Sequence, residues 1–278
     1  MLFCPAWPVR PSPQGEWVLL TVQIVIFMNK TPIAWTEWSW NPVTGCTHAG
    51  TDECDECYAA ALARRLEAMG NPRYANGFDV TLHPEALDEP LAFDLNREFM
   101  CFLPSMGDLF HPLVPDSFID QVIDVIWRTP NGTYQILTKR SARMAQYFAT
   151  HPCPPNAWLG VTCGCMKSLF RVDDLRHIAA PVRWLSIEPC LDDLANGGLD
   201  LTNIDWIVVG GESGPRARRM FPAWPMYLKD LADASGTTFF FKQWGSIGAD
   251  GIRRSKSANG HLLGGVEYFN YPTPRVNY

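Results

Sequence analysis

The feature that most constrains this chain is an alternation running from residue 33 to residue 244. Short β-rich runs, apolar on both faces, are each followed by a segment of helical pattern. The runs are IAWTEWSW (33–40), FMCFLPS (99–105), TYQILTK (133–139), WLGVTC (158–163), VRWLSIE (182–188), DWIVVGG (205–211) and TTFFFKQW (237–244). Helices are expected over 56–69, 84–97, 116–128, 140–149, 167–178 and 223–235. A strand with no polar face must be covered on both sides, and helices between consecutive strands do this when the strands run parallel. The expected fold is therefore α/β: a partial or closed β/α barrel of about six to seven parallel strands with outer helices, like a TIM barrel.

Three segments are expected: an N-terminal extension (1–27), read as an overextended start ahead of Met28, a barrel domain (28–245) and an irregular tail (246–278) ending YFNYPTPRVNY. At 278 residues and 47% hydrophobic content, the chain can bury a large core. Its formal net charge of -6 supplies no general basic field, which argues against a nucleic-acid coat and leaves only a local basic patch for a polyanion. The apolar run WVLLTVQIVIFM (17–28) contains Gln23, follows a proline-studded stretch and precedes no small-x-small cleavage site. It reads poorly as a secretory signal and is short for a bilayer span. A reducing, cytoplasmic setting without a membrane is the expectation.

In such a setting the nine cysteines are not expected to be disulfide-bonded, and a tight cluster of them points to metal or catalysis. Cys46, Cys54 and Cys57 form C-x7-C-x2-C at the end of the first expected strand. Structural zinc takes four closed ligands. An iron–sulfur cluster held by three cysteines keeps one iron open to another ligand. The residues alone leave both readings standing, because His48 as a fourth ligand would complete a Cys3His zinc knuckle. Cys4, Cys101, Cys153, Cys163, Cys165 and Cys190 lack this spacing and read as small buried hydrophobes.

In a barrel, chemistry sits at the carboxyl ends of the strands. Those ends are NPVTGC (41–46), SMGDLFH (105–111), LTKR (137–140), VTCGC (161–165), SIEP (186–189), GGESG (210–214) and FKQWG (241–245). Any one polar strand end is explained by its meeting solvent. Together they would ring one mouth with Asp108, Lys139, Glu188, Glu212 and Lys242. Gly210 and Gly211 end a strand in a way that lets a ligand approach the backbone.

The run WTEWSWNPVTGCTHAGTDECDECYA resembles the phage Gp37/Gp68-like family, also called three-Cys-motif or DUF5131 proteins, which is similar to the radical S-adenosylmethionine superfamily. The resemblance continues in order through SMGDLFH, QILTKR, WLGVT, LSIEP, VVGGESGPRARRM and FFFKQWG, over about residues 31–245. It implies a partial β/α barrel in which Cys46, Cys54 and Cys57 hold a 4Fe-4S cluster and S-adenosylmethionine chelates the fourth iron. Reduction would cleave the sulfonium and generate a 5′-deoxyadenosyl radical, with a reductant such as flavodoxin or ferredoxin as partner. Cofactor-binding candidates are Gly210, Gly211 and Glu212, with Glu188 and Asp108 for ribose hydroxyls or the methionine ammonium and Lys139 and Lys242 for a carboxylate or substrate anion. No catalytic residue is assigned.

Arg216, Arg218 and Arg219 make a cationic cluster in this acidic chain that suits a phosphate or, equally, a solvated helix start. Of Trp35, Trp38 and Trp40, the last two share a strand face, which core packing explains better than base stacking. Two function classes stand. One is a radical S-adenosylmethionine enzyme acting on a nucleotide or nucleic acid. The other is a metal-stabilised binding module, zinc or iron–sulfur, of phage or mobile-element origin.

Overall fold

The structure, a computed structural model, describes residues 28–93 and 96–276. The extension 1–27 and Cys4 lie outside them. The strands are β1 (Asn29–Lys30), β2 (Trp38–Ser39), β3 (Val43–Thr44), β4 (Thr81–Leu82), β5 (Phe99–Leu103), β6 (Gly132–Thr138), β7 (Ala157–Thr162), β8 (Val182–Ile187), β9 (Trp206–Gly210) and β10 (Thr238–Gln243). The α-helices are α1 (Tyr58–Ala68), α2 (Asp116–Arg128), α3 (Ser141–Phe148), α4 (Phe170–Arg176), α5 (Ala223–Ser235) and α6 (Lys256–Asn259). One sheet runs β1-β2-β5-β6-β7-β8-β9-β10, and β3 and β4 form a separate ribbon. Every neighbouring pair from β2 to β10 is parallel, and only the edge strand β1 runs antiparallel.

The sheet is curled into a half-barrel, and side-chain distances prove the curl. Phe102 of β5 and Trp206 of β9 stand four strand spacings apart, about 19 Å on a flat sheet. Both rings nevertheless lie within 6.3 Å of the single Trp35 ring. Along β8 and β9, alternation divides the side chains between two cores. Val182, Trp184, Trp206 and Val208 face inward to Trp35, Trp158 and Phe240. Leu185, Ile187, Ile207 and Val209 face outward to a core shared with Val122 of α2, Leu175 of α4 and Leu228 of α5. Gly160 in mid β7 makes room for this inner layer, because a Cβ there would meet Trp184 at 2.3 Å.

Two expected elements differ. The first run is strand only at Trp38–Ser39, because the chain turns at Ala34 and Trp35 and sends the Trp35 indole, 1% exposed, into the barrel. Trp38 packs on Phe93 and Trp40 on Tyr134, so both serve cores. The helix expected at 84–97 is instead two single 3-10 turns, Pro84–Ala86 and Pro90–Ala92, with residues 94 and 95 outside the described set. Proline removes an amide donor and clashes with the preceding turn, and two of them six residues apart prevent a continuous helix.

The tail after residue 245 is mostly irregular but packed. Phe269 stacks on Phe240 at 4.7 Å, Trp206 Nε1 donates to the Asn270 carbonyl, and Arg275 pairs with Asp205 at 2.7 Å. The Tyr271 hydroxyl reaches the Ala34 carbonyl, so this segment spans from the starts of β9 and β10 toward the β2 side of the open barrel. No helix among the described residues is long and apolar enough to cross a membrane.

Candidate functional site

The inward parity of the strands takes Thr162, Ser186 and Lys242, near their carboxyl ends, and Glu188, just past the end of β8, into the barrel interior. They line a cavity of about 400 Å³. Of the residues singled out from sequence, Cys46, Cys54, Cys57, Asp108, Lys139, Glu188, Gly211, Glu212 and Lys242 all border it. Gly210 is not part of its wall. Its missing Cβ leaves space for neighbours, since one added there would come 2.9 Å from Glu188 Oε1. Gly211 has a backbone reason as well: a Cβ would lie 1.9 Å from the Trp244 carbonyl oxygen.

The three cysteines occupy a loop with little regular structure, and that loop is fastened to the ends of four strands. Beyond β5, the Gly45 amide donates to the Met106 carbonyl at 2.9 Å. Beyond β6, Arg140 donates to the His48 carbonyl at 2.6 Å. Beyond β7, the Gly164 amide donates to Glu53 Oε1 at 2.9 Å, and Arg171 reaches Glu53 at 3.4 Å, Thr51 at 2.8 Å and the Thr162 carbonyl at 2.8 Å. Beyond β9, Arg218 donates to the Asp52 carbonyl at 2.8 Å and to Asp55 at 3.1 Å.

Glu53 and Arg171 are the residues that sequence reasoning missed. Their side chains are 0% and 1% exposed, an ion pair fully removed from water. Burial works to raise the Glu53 carboxyl, but hydrogen bonds from Ser168, Thr51 and the Gly164 amide outweigh it and hold the group down to about 2. Cys165 donates its thiol to the same carboxylate at 3.3 Å. Cys163 and Cys165 are fully buried, as expected of small hydrophobes, though Cys165 has this added bond.

Several candidates have their polar capacity committed within the protein. Asp108 accepts from the Thr138 hydroxyl at 2.6 Å and from the amides of Lys139 and Phe110 at 3.0 Å, which braces the ends of β5 and β6. Both oxygens of Glu212 face Arg218, at 2.7 and 3.0 Å, with the Arg218 amide adding a third bond at 2.7 Å. Lys242 Nζ lies 2.7 Å from Glu188 Oε1. Arg216 pairs with Glu56 at 2.8 Å, and Arg219 lies over Phe221. Two of the three clustered arginines thus pair with the acidic cysteine loop, Arg218 half-buried and Arg216 at the exposed surface. Lys139 lines the cavity and has no acidic partner among the described residues.

All eight described cysteines are free. No three His, Cys, Asp or Glu side chains among the described residues are grouped around a single ion position. The donor set suits a polynuclear cluster, in which each thiolate meets a different iron and the sulfurs stand apart around a shared volume. Cys57 is the N-cap of α1, where the helix end favours negative charge. The Ala49 amide donates to Cys54 Sγ at 3.3 Å, the type of bond that tunes iron–sulfur centres. Burial and then the nearby Asp108 carboxylate push the Cys46 thiol up, against the His48 backbone and Arg140, so a metal bound there would displace a proton.

A family model described as a protein of unknown function, DUF5131, matches residues 30–272. No curated protein matches the sequence. Among solved structures, spore photoproduct lyase complexed with dinucleoside spore photoproduct is similar at 10% identity and a TM-score of 0.46, over 77% of this chain and 66% of that one. A double mutant of spore photoproduct lyase with bound AdoMet and the same dinucleoside matches at 10% identity and a TM-score of 0.46, over 77% and 65%. This chain thus spans just under two thirds of those proteins. By the extent of the family match, the chain belongs to the DUF5131 family.

Proposed function

We propose that this DUF5131 protein is an iron–sulfur enzyme of the radical S-adenosylmethionine type acting on a nucleotide or nucleic acid in a reducing, cytoplasmic setting. One observation carries the reading: three free thiols of a single loop border one cavity at the carboxyl ends of seven parallel strands. Cys46, Cys54 and Cys57 would hold the cluster. With S-adenosylmethionine bound, the reduced centre supplies hydrogen-atom abstraction.

The rest is the work of this chain. The Glu53–Arg171 pair and the Arg218–Glu212 pair keep the thiols turned to the cavity. Lys139, unpaired at the wall, offers charge to an anionic group. Asp108 and Glu212 act by positioning Lys139 and Arg218, and not as free ligands. Residues 28–245 carry the barrel, and the tail beyond closes its lower end.

Anaerobic purification followed by iron and sulfide analysis tests the reading. About four irons and four sulfides per chain are expected for a 4Fe-4S cluster, with an electron paramagnetic resonance signal that changes when S-adenosylmethionine is added and with release of 5′-deoxyadenosine under reduction. Stoichiometric zinc, or a reducible cluster that is indifferent to the cofactor, overturns it and leaves the binding-module reading in its place.

A further inference from the structure

Below the thiols, the deepest part of the cavity joins an apolar floor to a small set of polar groups. Trp35, Phe102, Ile33 and Leu137 form the floor, and Glu188, Lys242 and Gln243 stand beside it. Gln243 is held in one orientation. Its Nε2 donates to the Gly211 carbonyl at 2.9 Å, and turning the amide over would set two oxygens against each other. Gln243 Oε1 is therefore fixed as an acceptor, and it is buried with no hydrogen-bond partner. An orphan acceptor of this kind in a native site calls for a ligand donor.

The neighbouring groups define what else that ligand carries. Glu188 Oε2 accepts from Trp35 Nε1 at 3.1 Å, and Glu188 Oε1 lies 2.7 Å from Lys242 Nζ. An ammonium has three donors. The contact with Glu188 is an ion pair that leaves Glu188 Oε1 without a hydrogen bond, so Lys242 keeps its donors beside the cavity. Gly210 lies between these side chains: a Cβ there would be 2.9 Å from Glu188 Oε1 and 3.5 Å from Gln243 Nε2. The floor thus presents a fixed acceptor, a carboxylate oxygen without a hydrogen bond and a charged donor together, with Lys242 lying over the Trp35 ring.

We propose that this floor is a subsite for a cyclic amide edge, an N–H adjacent to a C=O, as carried by hypoxanthine, guanine and uracil rings. Gln243 Oε1 receives the ring N–H, and Lys242 donates to the carbonyl. With the sugar held on the same side, the amidine edge of adenine has the opposite order, an acceptor nitrogen beside an amino donor, and meets Gln243 with acceptor against acceptor. This rests on the reading above only in treating the occupant as a substrate nucleotide.

Inosine monophosphate and adenosine monophosphate separate the two edges, since their rings differ only there. Calorimetric titration of the protein as purified, which requires neither reductant nor S-adenosylmethionine, is expected to show inosine monophosphate binding at least about tenfold more tightly. Gln243→Met and Lys242→Met are each expected to bring the ratio near unity while the melting temperature of at least one variant stays close to that of the parent. Equal or tighter binding of adenosine monophosphate overturns the proposal, as does a ratio untouched by Gln243→Met. Failure of both nucleotides to bind at millimolar concentration also overturns it. Iron and sulfide content is read on the same preparation, so a lost subsite and a lost cluster assignment are told apart.

Discussion

The cavity has two ends built by different physics. The floor rests on a layer of tryptophans interlocked at 5.2 to 6.3 Å between ring centroids, with Trp35, Trp184 and Trp206 all at or below 1% exposure and only Trp35 of the three bordering the cavity. The rim is a loop held almost entirely by charges and amides: Arg171, Arg218, Arg140 and Arg216 grip Glu53, Asp55, the His48 carbonyl and Glu56. Close-packed apolar layers tolerate little change and depend weakly on solution conditions. A loop stitched by ion pairs responds to pH and salt, and it can be loosened while the barrel stays folded. The part of the molecule that would carry the cluster is thus the part most open to adjustment.

The comparison is broken most severely from the floor. Trp184→Ala is expected to remove about 3–5 kcal/mol of global stability, read by chemical denaturation. A loss below 1 kcal/mol would mean that the inner layer does not hold the fold.

The rim is expected to fail locally and with pH. The carboxyl of Glu53 sits below its ordinary value of 4.5, at about 2. A depressed carboxylate lends its full stability above the unfolded value and loses it as pH falls through the folded one, so the loop loosens between pH 4.5 and about 2. The contribution is at most about 3 kcal/mol. Hydrogen exchange across residues 45–57 should rise in that window before the strands β6 to β9 exchange, and Glu53→Gln should flatten the dependence. Simultaneous exchange of rim and strands would erase the distinction between them.

Arg218→Ala comes next, at about 1 kcal/mol, because the guanidinium is over a third exposed and water screens its pairs. Added salt should shrink the difference between parent and variant. The smallest effect on stability is expected for Cys54→Ala, about 1 kcal/mol or less, although under the proposed function this change would remove the visible iron–sulfur absorbance altogether. Retention of a full cluster in that variant would detach the thiols from the proposed chemistry.

How far these two ends can be read from sequence also differs. Helices α2 and α5 and the strands β5 to β10 follow directly from apolar patterning, and the three thiols stand out by spacing alone. Trp35 does not, since a tryptophan turned inward from a bend has the same letters as one in a strand. The prolines at 84 and 90 were a signal against a helix, and the apolar periodicity around them masked it. Glu53 and Arg171 lie 118 residues apart, and neither has a local pattern that marks it as buried. The same holds for Arg218, whose motif suggests a phosphate grip until the fold brings Asp55 and Glu212 to it. Gln243 has no signature at all, because its importance comes from the one carbonyl that fixes its amide.

The C-terminal segment gives the chamber a direction. With Phe269 on Phe240, Asn270 bonded to Trp206 and Tyr271 reaching Ala34, the lower end of the barrel is stoppered by the chain's own last residues. A molecule seated on the cavity floor is then expected to arrive and depart on the side of the thiol loop. A cluster held by those thiols would share that doorway, and anything resting on the floor would be shut in for as long as the doorway is filled above it.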